Sequence, residues 1–259
     1  MTHFTLFPIA AAVISLSPLQ AFAENTLGFL GAQTSLGYES WGGENIAMAD
    51  GTLDYAITGH HGLQLDLGTT SFSDHWQGTL SAHLYMQPQE GAKYGLFASY
   101  TDVNDTSAGM GAVGIEGMWA LGSGATQMHM RTGVGLYTPG GNDFIFGDIG
   151  FETAVSDQLA LGFGVSAYDL EEAVLDVRDI TATLSATWSF ETAPIDLTMS
   201  AIYSVVDDDS PLGAGQTTET GLSAVLTWRP GRPAQALPSL RDRQFDAVRP
   251  LTGLFTKGY

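Results

Sequence analysis

The chain has 259 residues, 44% hydrophobic and 14% charged, with a formal net charge of −19 and no cysteine. Disulfides, thiolate metal sites and a lipid-modified N-terminal cysteine are therefore excluded, and the acidic balance argues against a nucleic-acid partner, which needs a cationic surface for phosphates. The charge is uneven: from Glu24 to Trp228 the only Lys or Arg residues are Lys93, Arg131 and Arg178, whereas bases outnumber acids from Arg229 to Tyr259, which predicts a boundary after Trp228.

Taken in order, the chain opens with an almost wholly apolar run from Phe4 to Leu19, followed by Ala21-Phe22-Ala23, a small-x-small cleavage pattern. Residues 1–23 are predicted to be a signal peptide cleaved after Ala23, although its n-region carries only the amino terminus and His3. The run is too short, and too interrupted by Pro8 and Pro18, to span a bilayer as a helix, and no later stretch is long enough.

From Glu24 onward, apolar and polar residues alternate in short segments broken by Gly, Asp, Asn and Ser. Strands are expected at 28–39, 51–58, 62–72, 76–86, 92–103, 108–120, 125–137, 144–155, 159–169, 178–190, 194–206 and 217–228. Asp179 to Val206 is the clearest case. Ile180, Ala182, Leu184, Ala186, Trp188 and Phe190 alternate with polar residues, and after the turn Glu191-Thr-Ala-Pro194 the pattern resumes through Ile195, Leu197, Met199, Ala201 and Tyr203. Successive strand side chains face opposite ways, so this hairpin has one apolar and one polar face. Ile202 and Val206 break the alternation, as does Phe97 in the fifth segment.

A soluble sandwich would turn the apolar faces onto one another, whereas a membrane barrel would turn them to lipid and the polar faces to a lumen. Three features favour the barrel. Gaps after even-numbered strands read as tight, while 40–50, 170–177 and 207–216 read as longer loops after odd-numbered ones. Trp76, Trp119, Trp188 and Tyr203 lie on apolar faces near strand ends, as interfacial aromatics do. Lysine, expected on a soluble surface, occurs once before residue 229. The expected fold is all-β: a closed antiparallel up-and-down transmembrane β-barrel of about twelve strands (range 10–14) over residues 24–228.

The layout over these residues resembles the porin-like outer-membrane β-barrel proteins of Gram-negative bacteria, by architecture and without a motif for one family. The resemblance implies outer-membrane location, with outer-membrane lipids, lipopolysaccharide and the barrel-assembly machinery as partners. The chain departs from the pattern at its end. Gly221 to Trp228 is the natural closing strand with a terminal aromatic, yet residues 229–259 follow as a basic, Pro-containing tail. That tail is expected to be a periplasmic extension or, through its charge, a plug in an acidic lumen.

Gly109-Met-Gly-Ala-Val-Gly114 matches a dinucleotide fingerprint but sits within one alternating strand, so small residues on a barrel wall are expected instead. His83 and His129 fall on polar faces of non-adjacent strands and read as hydrogen-bond partners of carboxylates rather than metal ligands. A lumen hydrolase built on Ser81 or Ser166 with either histidine is the weaker reading. The acidic run Asp207-Asp208-Asp209-Ser210-Pro211 lacks calcium-loop spacing and reads as solvated. The charged residues Asp54, Asp66, Lys93, Glu116, Arg131, Asp148, Glu152, Asp179 and Asp196 are the candidate lumen and selectivity residues. They suit a passive channel for small polar solutes or cations that needs no cofactor, catalytic group or metal. The alternative is a structural or adhesive barrel with a closed lumen and acidic loops.

Overall fold

In the computed structural model, residues 27–73, 75–104, 108–138, 141–171, 176–210, 215–232 and 234–249 are described. The expected signal peptide, Pro211 and residues 250–259 lie outside them. The strands are β1 (Gly28–Trp41), β2 (Glu44–Ala56), β3 (His61–Ser71), β4 (Trp76–Gln89), β5 (Ala92–Val103), β6 (Gly109–Leu121), β7 (Thr126–Thr138), β8 (Asn142–Ala154), β9 (Leu159–Glu171), β10 (Asp176–Ser189), β11 (Ile195–Asp208) and β12 (Thr217–Trp228). Each pairs antiparallel with its sequence neighbour, and β1 closes on β12 with Thr34 opposite Trp228 and Trp41 opposite Gly221. Closure leaves no open sheet edge, so every strand can satisfy its backbone groups without water.

The two faces separate as the alternation requires. Leu222 (69%), Leu67 (68%) and Leu184 (62%) are exposed on the outside, while Asp54 and His83 (0%) are buried on the inside. A soluble sandwich would reverse this; an apolar band of this extent requires hydrocarbon around it. Trp76, Trp188 and Tyr203 are exposed on the outer face, and Tyr94 packs edge-on against Trp119 there, with centroids 5.7 Å apart.

Two expectations are corrected. The second strand begins at Glu44, not residue 51, because Gly42 (φ 62°) and Gly43 (φ 85°) make the β1–β2 link a two-residue turn. Tight hairpins need positive φ at such positions, which glycine adopts freely. The 44–50 segment escaped notice because its bulky apolar residues, Ile46 and Met48, point inward, while Ala47 and Ala49 face out. Consequently the connections do not sort by length between the two mouths; the β11–β12 link, 209–216, is the longest.

The mouth where the chain enters β1 and leaves β12 is termed the lower mouth; the β1–β2 and β11–β12 links lie at the upper one. In β6 the last glycine of the motif serves close packing, whereas Gly111 faces open space. A Cβ on Gly114 would sit 2.1 Å from the Thr132 carbonyl oxygen and 2.5 Å from the Phe97 ring.

Candidate functional site: the barrel lumen

All nine candidate residues occupy inward-facing register positions, and strand pairing brings several together. Glu116, Arg131 and Asp148 are consecutive cross-strand neighbours on β6, β7 and β8. Arg131 Nε lies 3.3 Å from Glu116, and the row continues as Ser166, Thr181 and Ser204 across β9 to β11. His83 bridges Glu116 (Nδ1, 2.6 Å) and Asp66 (Nε2, 2.7 Å), and Gln64 donates to Asp66 at 3.0 Å. Because both imidazole nitrogens face carboxylates, neither is directed at Ser81, whose hydroxyl has no hydrogen-bond partner among the described residues. That arrangement does not make a nucleophile–base pair.

Asp54 accepts from Tyr85 Oη at 2.6 Å, and Lys93 places its ammonium 4.0 Å over the Tyr85 ring. Asp179 accepts hydrogen bonds from Thr181 (3.0 Å) and from Ser204, and Asp148 lies 3.8 Å from His129 Nε2. Glu152 and Asp196 are paired differently, with arginines beyond the last strand. Among the described residues no cluster of His, Asp and Glu is arranged to hold a metal ion.

Residues 229–232 and 234–249 run along the inner wall. After Trp228, Arg229 ion-pairs with Asp196, and its amide donates to the Pro194 carbonyl at 2.8 Å. The Ala236 amide bonds Asp157 O in the β8–β9 turn, and Gln127 Nε2 donates to Pro238 O at 2.6 Å. Arg243 pairs with Glu152 at 2.5 Å and donates to Gln127, while its carbonyl accepts from Lys93 at 2.8 Å. Phe245 is clamped: Gln64 bonds both its amide and its carbonyl at 2.8 Å, and its ring stacks on His83 at 5.7 Å and 2°. Arg131 donates to Asp246 O at 2.6 Å, and Arg249 pairs with Asp50. Apolar anchors alternate with these bonds. Leu237 meets Ala160, Leu240 and Phe245 pack with Tyr85 and Met118, and Val248 joins a larger cluster above.

The opposite wall is built from small residues. Inward positions on β9 to β12 include Gly162, Gly164, Ser166, Thr183, Ser185, Thr187, Thr198, Ser200, Ser223 and Thr227. Cross-strand hydroxyl pairs such as Thr187–Thr198 and Ser35–Thr227, both 2.9 Å, tie this wall together. Between it and the C-terminal segment lie three cavities of about 380, 300 and 270 Å³. The first is bounded by Asp196 and Arg229 and the last by Tyr168 and Trp41; Ser185 and Glu152 line the first two.

Alternation alone did not reveal the upper lumen. Ile46, Phe72, Val103, Phe144, Phe146, Leu170, Val177 and Val206 all point inward there and form one apolar collar with Val248. The signal was present in the broken alternation: Phe97 and Val206 belong to this cluster, and Ile202 lies on the same inner face.

No protein-family model and no curated protein sequence matches the chain. Solved structures do. The NanC porin aligns with a TM-score of 0.55 at 7% identity, over 76% of this chain and 98% of the porin. A membrane protein studied by in-meso crystallisation aligns at 0.59 and 11%, over 85% and 96%. The KdgM porin in complex with disordered oligogalacturonate aligns at 0.50 and 9%, over 76% and 98%. The chain thus has the closed-barrel architecture of outer-membrane porins and channels, a likeness of fold and not of sequence.

Proposed function

We propose that the chain is a passive outer-membrane channel for small polar solutes, neutral or cationic. It is exported by residues 1–23, assembled by the barrel machinery among outer-membrane lipids and lipopolysaccharide, and seated with its lower mouth towards the periplasm. The observation that carries the reading is the asymmetry of the lumen. One half is packed with side chains and the C-terminal segment, while the other is faced with hydroxyls and glycine and borders three cavities of mixed lining. Diffusion needs a lining that replaces part of a solute's hydration without holding it tightly, and Ser and Thr hydroxyls meet that need. In this reading Asp54, Asp66, Glu116, Asp148 and Asp179 supply a negative field tempered by Lys93 and Arg131, while Glu152 and Asp196 are offset by Arg243 and Arg229. The oligogalacturonate in the KdgM complex is a polyanion, which such a field disfavours.

The apolar collar makes this a gated channel, since a hydrophobic constriction closes a pore by dewetting. It also favours a second reading, a structural barrel that never opens. Planar-bilayer recording separates the two. The refolded full chain is expected to give brief current steps, and polar substitution in the collar to lengthen them. A folded, heat-modifiable barrel with no current in either form would sink the channel.

A further inference from the structure

We infer that residues 229–249 set the charge selectivity of this passage, with Arg229, Arg243 and Arg249 as its selectivity-determining residues. The inference rests on the channel reading and refines its solute class. Among the described residues, Asp196, Glu152 and Asp50 find their ion-pair partners on this segment, not on the wall. All three pairs line the 380 Å³ cavity, whose remaining lining includes Ser35, Thr187 and Thr198. The arginines are fixed in place. Leu237, Leu240, Phe245 and Val248 are each no more than 6% exposed, so the segment is packed into the lumen as core.

The sequence taken alone suggests an acidic, cation-preferring lumen. With the segment in place, the wall carboxylates Asp50, Glu152 and Asp196 are neutralised at contact distance, and a solute in the 380 Å³ cavity meets these pairs, wall hydroxyls and the segment's own Asp242 and Asp246. Neutralising the wall in this way weakens its preference for cations and favours uncharged, hydroxyl-bearing solutes. Removing an arginine releases one carboxylate into the passage. Unit charges about 6 Å apart in water change the local concentration of a monovalent ion by about threefold, and the effect fades at 1 M salt, where the Debye length is about 3 Å.

The lack of cysteine makes a direct test clean. Ser185→Cys, in the full chain, places a thiol on the shared edge of two cavities. Its rate of modification by a cationic (trimethylammonium) methanethiosulfonate is divided by that with an anionic (sulfonate) one, at 0.1 M KCl. The two reagents respond in opposite directions, so the ratio would rise about ninefold unscreened; with the Debye length of about 10 Å at 0.1 M it is expected to rise about three- to fourfold on adding Arg243→Gln or Arg249→Gln. It should stay put with Arg243→Lys or with Arg178→Gln, whose guanidinium lies on the outer face beside Asp169. It should return to its starting value in the Glu152→Gln/Arg243→Gln pair. An unchanged ratio in folded Arg243→Gln and Arg249→Gln barrels overturns the inference, as does a raised ratio that persists in the paired variant. Because this readout needs no current, a silent bilayer counts against the channel alone.

Discussion

Phe245 is the side chain on which docking of the C-terminal segment depends most, and Phe245→Ala tests that directly. The ring is 2% exposed, stacks on His83, meets Tyr85 edge-on at 6.0 Å and lies 5.0 Å from the Lys93 ammonium. Truncating a fully packed phenylalanine costs about 3–5 kcal/mol. The lower end applies here, because water can enter the vacated lumen more readily than a closed core. The barrel strands keep their hydrogen bonds, so the loss falls on the equilibrium between docked and released segment. At about 1.4 kcal/mol per decade, 3 kcal/mol raises the released fraction roughly 100-fold. Trypsin reads that fraction, because cleavage tracks the opened population when closing is fast. Arg229, Arg232 and Arg249 each precede proline and resist the enzyme, which leaves Arg241–Asp242 and Arg243–Gln244 as the reporting bonds in this stretch. Arg243 is the informative one, since its side chain is only 11% exposed when paired with Glu152. Cleavage after Arg243 should accelerate about 100-fold in Phe245→Ala while the barrel fragment stays intact. If the rate is unchanged, the aromatic contacts do not hold the segment and the docking argument is wrong.

Two further substitutions probe the wall. Gly114→Ala forces a methyl against the Thr132 carbonyl and the Phe97 ring; the backbone contact cannot rotate away, so a loss of about 1–3 kcal/mol in urea-unfolding stability is expected. An unchanged midpoint would mean that β6 and β7 shift freely at that point. Val206→Ser, at a fully buried collar position, should wet the constriction and lengthen open times in bilayer recordings at least several-fold. Equal dwell times in the two barrels would remove the collar as the gate.

Legibility in the sequence followed the physics of each part. The outer face was readable because lipid accepts only apolar side chains, so β5 and β12 appeared with the bounds they have, 92–103 and 217–228. Inward positions answer to a mixed environment and were read less well. Where the lumen is polar, Asp54, His83 and Arg131 stand out against the apolar alternation. Where it is apolar, as at Ile46 and Phe144, both faces look alike and the period disappears. The candidate charges occupy inner-face register positions, but alternation carries no information on pairing between distant segments. That Glu152 meets Arg243 and Asp50 meets Arg249 depends on the path of a segment with no periodicity of its own.

The position of that segment follows from the size of the barrel. Eight strands enclose a space that side chains can fill, and sixteen leave an open channel; twelve fall between. Here the remaining space is divided unequally. Long inward side chains on β3 to β7, among them Gln64, His83, Tyr85, Lys93, Met118 and Arg131, reach the segment and bond or pack with it. Were the segment only filler, the facing strands would carry side chains of similar reach, since an unfilled cavity forfeits packing energy. They carry Gly162, Gly164, Ser166 and Ser185 instead, and these line a cavity of about 300 Å³. Small residues retained opposite a well-anchored segment are what a wall shaped for passage requires, and they make the segment itself the other wall.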